Sequence, residues 1–210
     1  MSTGTVGLRE RKKRATRAAL SAAALELSVE RGVDAVTVDD IAARVDVSPR
    51  TFFNYFSCKE EAVLADGVER AQRVVASLAE RPSDEPLWDA LRDAFVTAVA
   101  HDVEPRRDWI ARVRLVKVSP ALASQHLANF ATMEQMLVDE VARRCDCAAG
   151  DLYPRLLVAT VVAAVRVAVS HWIDTPDGTT TLASSIVLAV DMAAAGLPPE
   201  RPATPAPVPV

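Results

Sequence analysis

The sequence predicts an all-α protein. Its 210 residues include only 7 glycines and 13 prolines, many of them near expected helix ends, and half of the residues are apolar, with alanine and valine dominating. Apolar residues recur three or four positions apart, as on one face of a helix, whereas no Val-, Ile- or Thr-rich stretch shows the strict alternation of a strand. A chain of this length can bury roughly 70% of its unfolded surface, which suffices for a core in one or two domains.

The first element is a basic N-terminal arm, residues 1–14. Positive charge is concentrated at its end and just beyond, relieved only by Glu10, in Arg9, Arg11, Lys12, Lys13, Arg14 and Arg17. The chain as a whole has a net charge of −4, so this segment runs against the overall balance. Such a segment can lie along DNA phosphates or enter a minor groove. The simpler alternative is the solvated start of a helix.

The clearest helix signals lie in residues 37–59, where two short helices are expected in close succession. Thr37 can cap the first helix, and the carboxylates just after it favour the positive end of a helix. Ser48 and Pro49 are the preferred residue types at the N-cap and the first position of the second helix. The chain must turn sharply between them, and Asp46 tolerates the left-handed conformation expected there. Two helices joined in this way form a helix-turn-helix, which places its second helix in the major groove of DNA.

The second helix, ending near Asn54, is expected to have an inner and an outer side. Phe52 and Phe56 are four residues apart, so they share a face and should pack inward. Arginine can pair with guanine, asparagine with adenine, and an aromatic ring with a thymine methyl, which suits the outward residues Arg50, Phe53 and Asn54 to base edges. Donors to phosphate belong at the ends and edge, where the sequence has Ser48, Thr51, Tyr55 and Lys59. The alternative is that the aromatic residues are plain core and Arg50 is a solvated surface residue.

Residues 8–66 resemble the DNA-binding domain of the tetracycline-repressor (TetR) family of bacterial regulators. The resemblance is carried by Ala23-Ala24-Leu25-Glu26-Leu27, Glu30-Arg31-Gly32, Thr37-Val38, Ile41-Ala42, Val47-Ser48-Pro49-Arg50-Thr51-Phe52-Phe53, Tyr55-Phe56 and Lys59-Glu60. By position it implies that Pro49 joins the residues near the bases and that Thr37 joins those near the backbone. It also implies that Lys59, at the start of a fourth helix, binds phosphate.

Three positions depart from the pattern of the family. Asp46 replaces the usual turn glycine, Ser28 stands where an aromatic residue often packs, and Phe53 stands where tyrosine is common. Phenylalanine lacks the hydroxyl, so a hydrogen bond from that position to phosphate or base is not expected. The resemblance implies a three-helix DNA-binding domain over residues 15–60.

Residues 61–197 are expected to form a helical body. A long helix over residues 60–80 should leave the DNA-binding domain and end at Arg81-Pro82-Ser83. Apolar stripes predict further helices from Leu87, after Pro105, from Pro120 towards Arg144, and over residues 152–173 and 180–195. The tail, residues 198–210, is proline-rich and expected to be disordered.

The last two helices predict a homodimer. Their small apolar side chains cover most of the circumference, which gives more apolar surface than one partner helix can hide. Two such helices from each of two subunits would form a four-helix interface with two-fold symmetry. A dimer with two reading heads would prefer near-palindromic double-stranded DNA. The alternative is burial of both helices within a monomer.

The resemblance also implies that the body holds a small-molecule effector. Candidates for lining an apolar pocket are Trp88, Phe95, Trp109, Phe130, Met133, Met136 and Trp172, although any one such residue is more often plain core than part of a pocket. A basic cluster near Trp109 hints at an anionic effector such as a long-chain acyl thioester or an organic acid; it consists of Arg106, Arg107, Arg112, Arg114 and Lys117. A solvated basic helix face is the alternative for this cluster.

No metal, cofactor or membrane association is expected. The most apolar run, Leu156 to Val169, is interrupted by Arg166, and no secretory signal is visible near the N-terminus. Three cysteines in a long chain suit a reducing cytoplasm. The pair Cys145 and Cys147 is weak support for a metal site, and a redox role for this pair or for Cys58 is less expected than reduced structural thiols.

Two other classes of function remain as alternatives. An enzyme could use His101, His126 and His171, but these lie on different expected helices and no nucleophile elbow, phosphate-binding loop or metal-ligand spacing accompanies them. A non-specific architectural DNA-binding protein would need a broad basic surface, which the moderate acidity of the chain disfavours. The favoured interpretation is a homodimeric, ligand-responsive transcriptional repressor, with repression itself implied only by the family resemblance.

Overall fold

The computed structural model describes residues 7–100, 106–175 and 179–197, and this part of the chain is helical without strands. The helices are α1 (Leu8–Arg31), α2 (Val38–Arg44), α3 (Pro49–Phe53), α4 (Lys59–Val63), α5 (Ala65–Glu80), α6 (Leu87–Ala100), α7 (Arg106–Val118), α8 (Pro120–Cys145), α9 (Leu152–Asp174) and α10 (Leu182–Ala194), with a 3-10 turn at Val33–Ala35. The all-α prediction is confirmed. The proline-rich tail at residues 198–210 lies outside the described residues.

The chain forms two compact units, and each of them is discontinuous in the sequence. Unit 1 contains residues 1–68 and 105–129, and unit 2 contains residues 69–104 and 130–210. Helices α1 to α4, α7 and the first part of α8 therefore belong to unit 1. The basic segment before residue 15 forms the first turns of α1 from Leu8 onward.

The core of unit 1 is built around α1. Leu20, Leu27 and Ile41 are buried in it, and so is Leu122, which comes from α8. Partly buried side chains of α7 pack against the same cluster. Helix α1 ends at Arg31, and its C-cap Gly32 has a φ of +84°, which lies in the region that favours glycine. The core of the first unit thus depends on residues from the middle of the chain.

The helix expected over residues 60–80 is broken at Leu64, which corrects that prediction. The backbone there leaves helical geometry, with φ −98° and ψ 9°. In a continuous helix the Val63 carbonyl would accept the N–H of Gly67, but this N–H donates to the Leu64 carbonyl at 3.0 Å. The Val63 carbonyl instead accepts Nε of Arg112 at 2.8 Å, so α7 supplies the donor that the break leaves missing.

Unit 2 packs α9 against α10 and both against α6. Its fully buried side chains include Leu91 of α6, Val158 of α9 and Ile186 of α10. Arg92 of α6 reaches Asp191 of α10 with an N–O distance of 3.0 Å. By length and composition α9 could span a membrane, yet its buried residues form part of this core.

The outer side of α9 keeps an apolar stripe exposed. Leu152, Leu156 and Val167 expose 77%, 58% and 58% of their surface, and Tyr153 exposes 55%. Exposed alanines at positions 159 and 163 continue the stripe at helical spacing. A single copy of unit 2 therefore leaves part of its longest apolar helix in contact with solvent.

Candidate nucleic-acid interface

Helix α2 begins with a reciprocal cap. The backbone N–H of Asp40 donates to Thr37 Oγ1 at 3.1 Å, and the backbone N–H of Thr37 donates to Asp40 Oδ2 at 2.9 Å. The Thr37 hydroxyl also donates to Asp40 Oδ2 at 2.6 Å. The Asp40 carboxylate accepts two hydrogen bonds from Thr37, and these lower the pKa of Asp40, the bond from the hydroxyl more than the bond from the N–H. The positive charge of Arg31 contributes to the same shift. The cap predicted at Thr37 is present, and it engages the hydroxyl that the family resemblance places near phosphate.

The turn after α2 closes around Asp46. This residue has φ +55°, the left-handed conformation expected for it. The N–H of Val47 donates to the Ala42 carbonyl at 3.0 Å, which is the six-to-one hydrogen bond of a Schellman motif. Glycine is the usual residue at such a position, and aspartate is one of the few others that tolerate it.

Helix α3 starts as the sequence predicts. Ser48 Oγ accepts the backbone N–H of Thr51 at 3.1 Å, and Pro49 occupies the first turn. The Ser48 and Thr51 hydroxyls lie 2.9 Å apart and share one further hydrogen bond. The helix ends at Phe53, with Asn54 as its C-cap. Local hydrogen bonds therefore close this short helix at both ends.

The inner side of α3 is anchored by aromatic rings. Phe52 and Phe56 expose 0% and 2% of their surface, and their ring centroids lie 5.6 Å apart. The guanidinium carbon of Arg17 lies 4.4 Å from the Phe56 centroid, a cation–π contact between α1 and the segment after α3. The inward packing agrees with the sequence prediction, whereas the contact of Arg17 is visible only in the structure.

The outer side of α3 is open to solvent. Pro49, Arg50, Phe53 and Asn54 are all exposed, and Phe53 exposes 58% of its surface. An exposed phenylalanine and an exposed arginine on one capped helix can contact a thymine methyl and a guanine edge. These residues are the predicted base-proximal set, and their assignment to bases stays a prediction.

A cleft of about 350 Å³ lies between the start of α1 and α3. One wall is the face of α1 formed by residues at positions i, i+3, i+4 and i+7, and the other is formed by Thr51 of α3 and the two residues that follow this helix. The lining residues are Arg9, Lys12, Lys13, Thr16, Thr51, Asn54 and Tyr55. Two members of the predicted phosphate-binding set, Thr51 and Tyr55, thus lie in one basic cleft with the N-terminal segment.

Lys59, expected to bind phosphate, has protein partners in this structure. Its ammonium group donates to the carbonyls of Val33 and Val36 at 2.8 and 2.9 Å, and the side chain is half-buried. These bonds tie the start of α4 to the 3-10 turn after α1. An ammonium has three donors, so one remains for phosphate. Lys59 is therefore a structural anchor of the unit as well as a candidate phosphate ligand.

The predicted pocket residues do not all lie in one unit. Trp109 belongs to α7 in unit 1, whereas unit 2 contains Trp88, Phe95, Phe130, Met133, Met136 and Trp172. Phe95 and Met133 are buried and the other members are half-buried. The indole N–H of Trp172 donates to the Thr180 carbonyl at 2.9 Å, so this ring holds the chain between α9 and α10.

The basic residues of α7 do not all lie on one solvent-exposed face of the helix. Arg112 is buried and holds the Val63 carbonyl, while Arg107, Arg114 and Lys117 are exposed. The side chain of Arg106 lies outside the described residues. The predicted basic cluster thus contains at least one arginine with a structural role.

The other candidate groups are dispersed. His126 lies on α8 and His171 on α9, and His101 lies outside the described residues. Burial lowers the pKa of His126. Burial and the neighbouring Cys147 raise the pKa of the Cys145 thiol, which disfavours its reactive thiolate. Within the described ranges, no group of three or more His, Cys, Asp and Glu side chains could hold a metal ion.

Two family models match the sequence. Residues 20–65 match the model of bacterial regulatory proteins of the tetR family, and residues 85–198 match the model of the MftR C-terminal domain. The HTH-type transcriptional regulator TcmR of Streptomyces glaucescens is 34% identical over 173 residues, covering 79% of this chain and 76% of that protein. The mycofactocin biosynthesis transcriptional regulator MftR of Mycobacterium tuberculosis is 27% identical over 187 residues, covering 89% and 93%.

Solved structures share the fold at lower identity. The complex of SmeT with triclosan superposes with a TM-score of 0.62 at 20% identity and covers 93% of this chain and 100% of that one. FadR from Thermus thermophilus, in complex with lauroyl-CoA, has a TM-score of 0.56 at 21% identity and covers 90% and 99%. The arrangement of helices is thus found in proteins whose sequences differ widely.

Proposed function

The chain belongs to the tetR family of bacterial regulatory proteins and is a DNA-binding transcriptional regulator, and we propose that it is a homodimeric, sequence-specific repressor released by a small molecule. It would act in the cytoplasm, on promoter DNA with a near-palindromic operator. Repression, as opposed to activation, is proposed from the family resemblance alone.

The observation that carries the proposal is the exposed side of α3. Arg50 and Phe53 stand on a short helix that is capped by Ser48 and anchored by buried rings. A donor and an aromatic ring on a helix that is already folded and anchored can distinguish base pairs, because the backbone needs little ordering on binding. An architectural DNA-binding protein has no need of such a preorganised reading helix.

Dimerisation is supported by the exposed stripe of α9. Leu152, Leu156 and Val167 are large apolar side chains on one side of a helix whose other side is already buried. A second copy, related by a two-fold axis, would cover the stripe with its own α9 and α10. Two reading heads on one assembly would then bind two half-sites, which explains a preference for a near-palindrome.

The proposed effector is an apolar or acyl-type small molecule bound by the body. Two proteins of this fold were solved with triclosan, which is largely apolar, and with lauroyl-CoA, whose acyl chain is apolar. The half-buried aromatic and methionine side chains of unit 2 are suited to such a ligand. To change DNA affinity, the ligand must bind one arrangement of the two heads better than the other.

The DNA proposal is tested by selecting genomic fragments on the purified protein, with Arg50→Ala in parallel. We expect a near-palindromic sequence, which Arg50→Ala binds about 1–3 kcal/mol less tightly with relaxed preference at one base position. Asp46→Gly, at the turn beside α3, serves as a folded variant that retains every exposed side chain of α3. Recovery of no preferred sequence, together with a steep dependence of affinity on salt, would contradict the proposal and favour an architectural role.

The effector proposal is tested by adding acyl-CoAs and fatty acids to the protein–operator complex. A ligand that binds the free protein better than the DNA-bound protein must raise the melting temperature of the free protein and weaken the complex, and DNA must lower the affinity for the ligand by the same factor. Short-chain acyl-CoAs with the same head group are the matched control for the apolar chain. If no member of either series changes operator affinity or melting temperature, an acyl-type effector is excluded.

A further inference from the structure

The charged side chains at the start of α1 are divided between the cleft and the rest of the helix surface. Arg9, Lys12 and Lys13 line the cleft beside α3, whereas Arg11 and Arg14 of the same helix do not. The one acidic residue of the segment, Glu10, lies 3.8 Å from the Arg14 guanidinium and pairs with it outside the cleft. Charge of one sign therefore collects at the cleft, where the described lining residues include no carboxylate.

We infer that this cleft binds a backbone phosphate of the DNA next to the base pairs contacted by α3, and that Asn54 belongs to this phosphate site and not to the base-reading set. The inference rests on the proposed function, since it needs α3 to lie on DNA. It turns the N-terminal half of α1 into a second element of the interface.

The donors in the cleft suit a phosphate. Two ammonium groups and one guanidinium supply charge, and the Asn54 amide and the Tyr55 hydroxyl supply neutral donors. Thr51 can use its own hydroxyl hydrogen when Ser48 donates to it. Thr16 contributes mainly to the wall, because its hydroxyl already donates to the Lys12 carbonyl at 3.0 Å. The volume of about 350 Å³ accommodates a phosphodiester with parts of its neighbouring sugars.

The position of Asn54 separates it from the base-reading residues. It is the C-cap of α3, while recognition helices contact base edges mainly through their N-terminal residues. With Thr51 and Tyr55 it lies at positions i, i+3 and i+4, the spacing of one helix face. Arg50 and Phe53 do not line the cleft. Asn54 thus shares its surroundings with the basic residues of α1.

The test compares two double variants that remove the same charge from the same helix. Lys12→Ala with Lys13→Ala changes the cleft, and Arg11→Ala with Arg14→Ala changes α1 outside it. Operator affinity is measured at roughly 50 to 200 mM salt, after circular dichroism has shown that both variants are folded. The cleft variant should lower the slope of log affinity against log salt by about 0.9, the value for one phosphate, and the control should lower it clearly less. Equal changes in the two variants would overturn the inference.

A single neutral phosphate analogue locates the contact. Methylphosphonate is placed at each backbone position beside the half-site, and one position should weaken binding of the natural protein but not weaken the cleft variant further. Asn54→Ala should show the same loss for every operator sequence, while Arg50→Ala should relax preference at a base pair. If Asn54→Ala relaxes a base preference instead, Asn54 reads a base and the assignment is wrong.

The two proposals fail in distinguishable ways. A natural protein that selects no DNA sequence contradicts the proposed function, whatever the cleft variants do. A natural protein that selects an operator, loses preference in Arg50→Ala and shows no methylphosphonate-sensitive position linked to the cleft contradicts this inference alone.

Discussion

Two helix ends, one in each unit and one hundred residues apart, are built alike and are followed by different helices. Residues 41–47 end α2, and residues 141–147 end α8. Both segments have a buried apolar residue, a buried alanine, an arginine three positions after the apolar residue, and an aspartate two positions after the arginine. Asp46 and Asp146 have φ of 55° and 52°, and the N–H of the next residue returns to the alanine carbonyl at 3.0 and 3.1 Å. The same local chemistry therefore closes both helices.

The two ends differ in the segment that comes after each turn. After Asp46, Ser48 and Pro49 start a new helix at once, and its outer residues are exposed donors and an aromatic ring. After Asp146, the carboxylate of Asp151 accepts the Ala148 N–H at 3.0 Å, and the apolar α9 begins. The same turn motif is thus followed by two different helices, one with exposed polar and aromatic side chains and one that is largely apolar.

Arg44 and Arg144 occupy the same position in the two segments, but they have different partners. Arg44 lies 3.2 Å from Glu26 and 3.4 Å from Glu30, both largely exposed on α1. Arg144 is half-buried and donates to the carbonyls of Leu78 and Arg81 at 3.1 Å, which caps the C-terminal end of α5. The first makes surface ion pairs and the second satisfies backbone acceptors.

The largest effect is expected from the apolar residue that begins each segment. Ile41→Ala should lower the free energy of unfolding by about 2–5 kcal/mol, because Ile41 is fully buried and leaves a cavity. Val141→Ala, equally buried, should cost less because it removes fewer carbon atoms. Urea unfolding followed by circular dichroism measures both. Among the molecules that remain folded, only the change at Ile41 should also weaken operator binding, because Ile41 belongs to the core cluster that contains Phe52 of α3. Equal loss of binding in both variants would break the functional distinction.

The second-largest loss of stability is expected from replacing the arginine of each segment. Arg144→Ala should cost about 1.5–3 kcal/mol, because it removes charged donors from half-buried carbonyls. Arg44→Ala should cost at most about 1 kcal/mol, as expected of exposed ion pairs. Arg143→Ala is the matched control, since this neighbour is exposed and pairs only with the side chain of Glu140 among the contacts described. Thermal unfolding at low and high salt should show that salt screens a larger share of the loss for Arg44→Ala than for Arg144→Ala, whose main partners are backbone carbonyls.

The aspartates should behave alike. Valine at position 46 or 146 should cost about 1–2 kcal/mol, because a β-branched residue is strained in the left-handed region. Glycine at either position relieves the strain and should cause no loss of stability. The four variants are compared by urea unfolding. If Asp46→Gly destabilised the protein clearly, the aspartate would have a role beyond the shape of the turn.

The smallest effect concerns pH and the two capping boxes. Thr37 and Asp40 cap α2, while Thr181 and Ser184 make the same pair of backbone bonds at α10 without an ionisable group. Because folding lowers the pKa of Asp40, its carboxylate stabilises unit 1 above the ordinary pKa of about 3.9, and this contribution is lost as pH falls through the lower folded value. The amide proton shift of Thr37 should titrate in that acidic range, and that of Thr181 should not. Thr37→Ala should return the pKa of Asp40 towards its ordinary value.

The sequence predicted the features that local chemistry determines. The caps at Thr37 and Ser48 and the left-handed Asp46 depend on residues only a few positions apart, so a short stretch of sequence suffices to recognise them. The contacts of Arg17 with Phe56, Lys59 with Val33 and Arg112 with Val63 join residues far apart in the chain. Nothing in the neighbouring sequence marks them, because they exist only after the helices have packed. The break at Leu64 could not be predicted for the same reason, since its freed carbonyl is satisfied from α7.

The hydrogen bond from Arg112 to Val63 also limits where the protein can be truncated. A fragment ending at Val68 would lose this donor and would lose Leu122, whose side chain is fully buried in the core of unit 1. Tolerance of truncation depends on such burial and hydrogen bonding and not on position in the sequence. A chimaera that exchanges DNA specificity between relatives must therefore transfer residues 105–129 together with residues 1–68, as two inserts that fit each other.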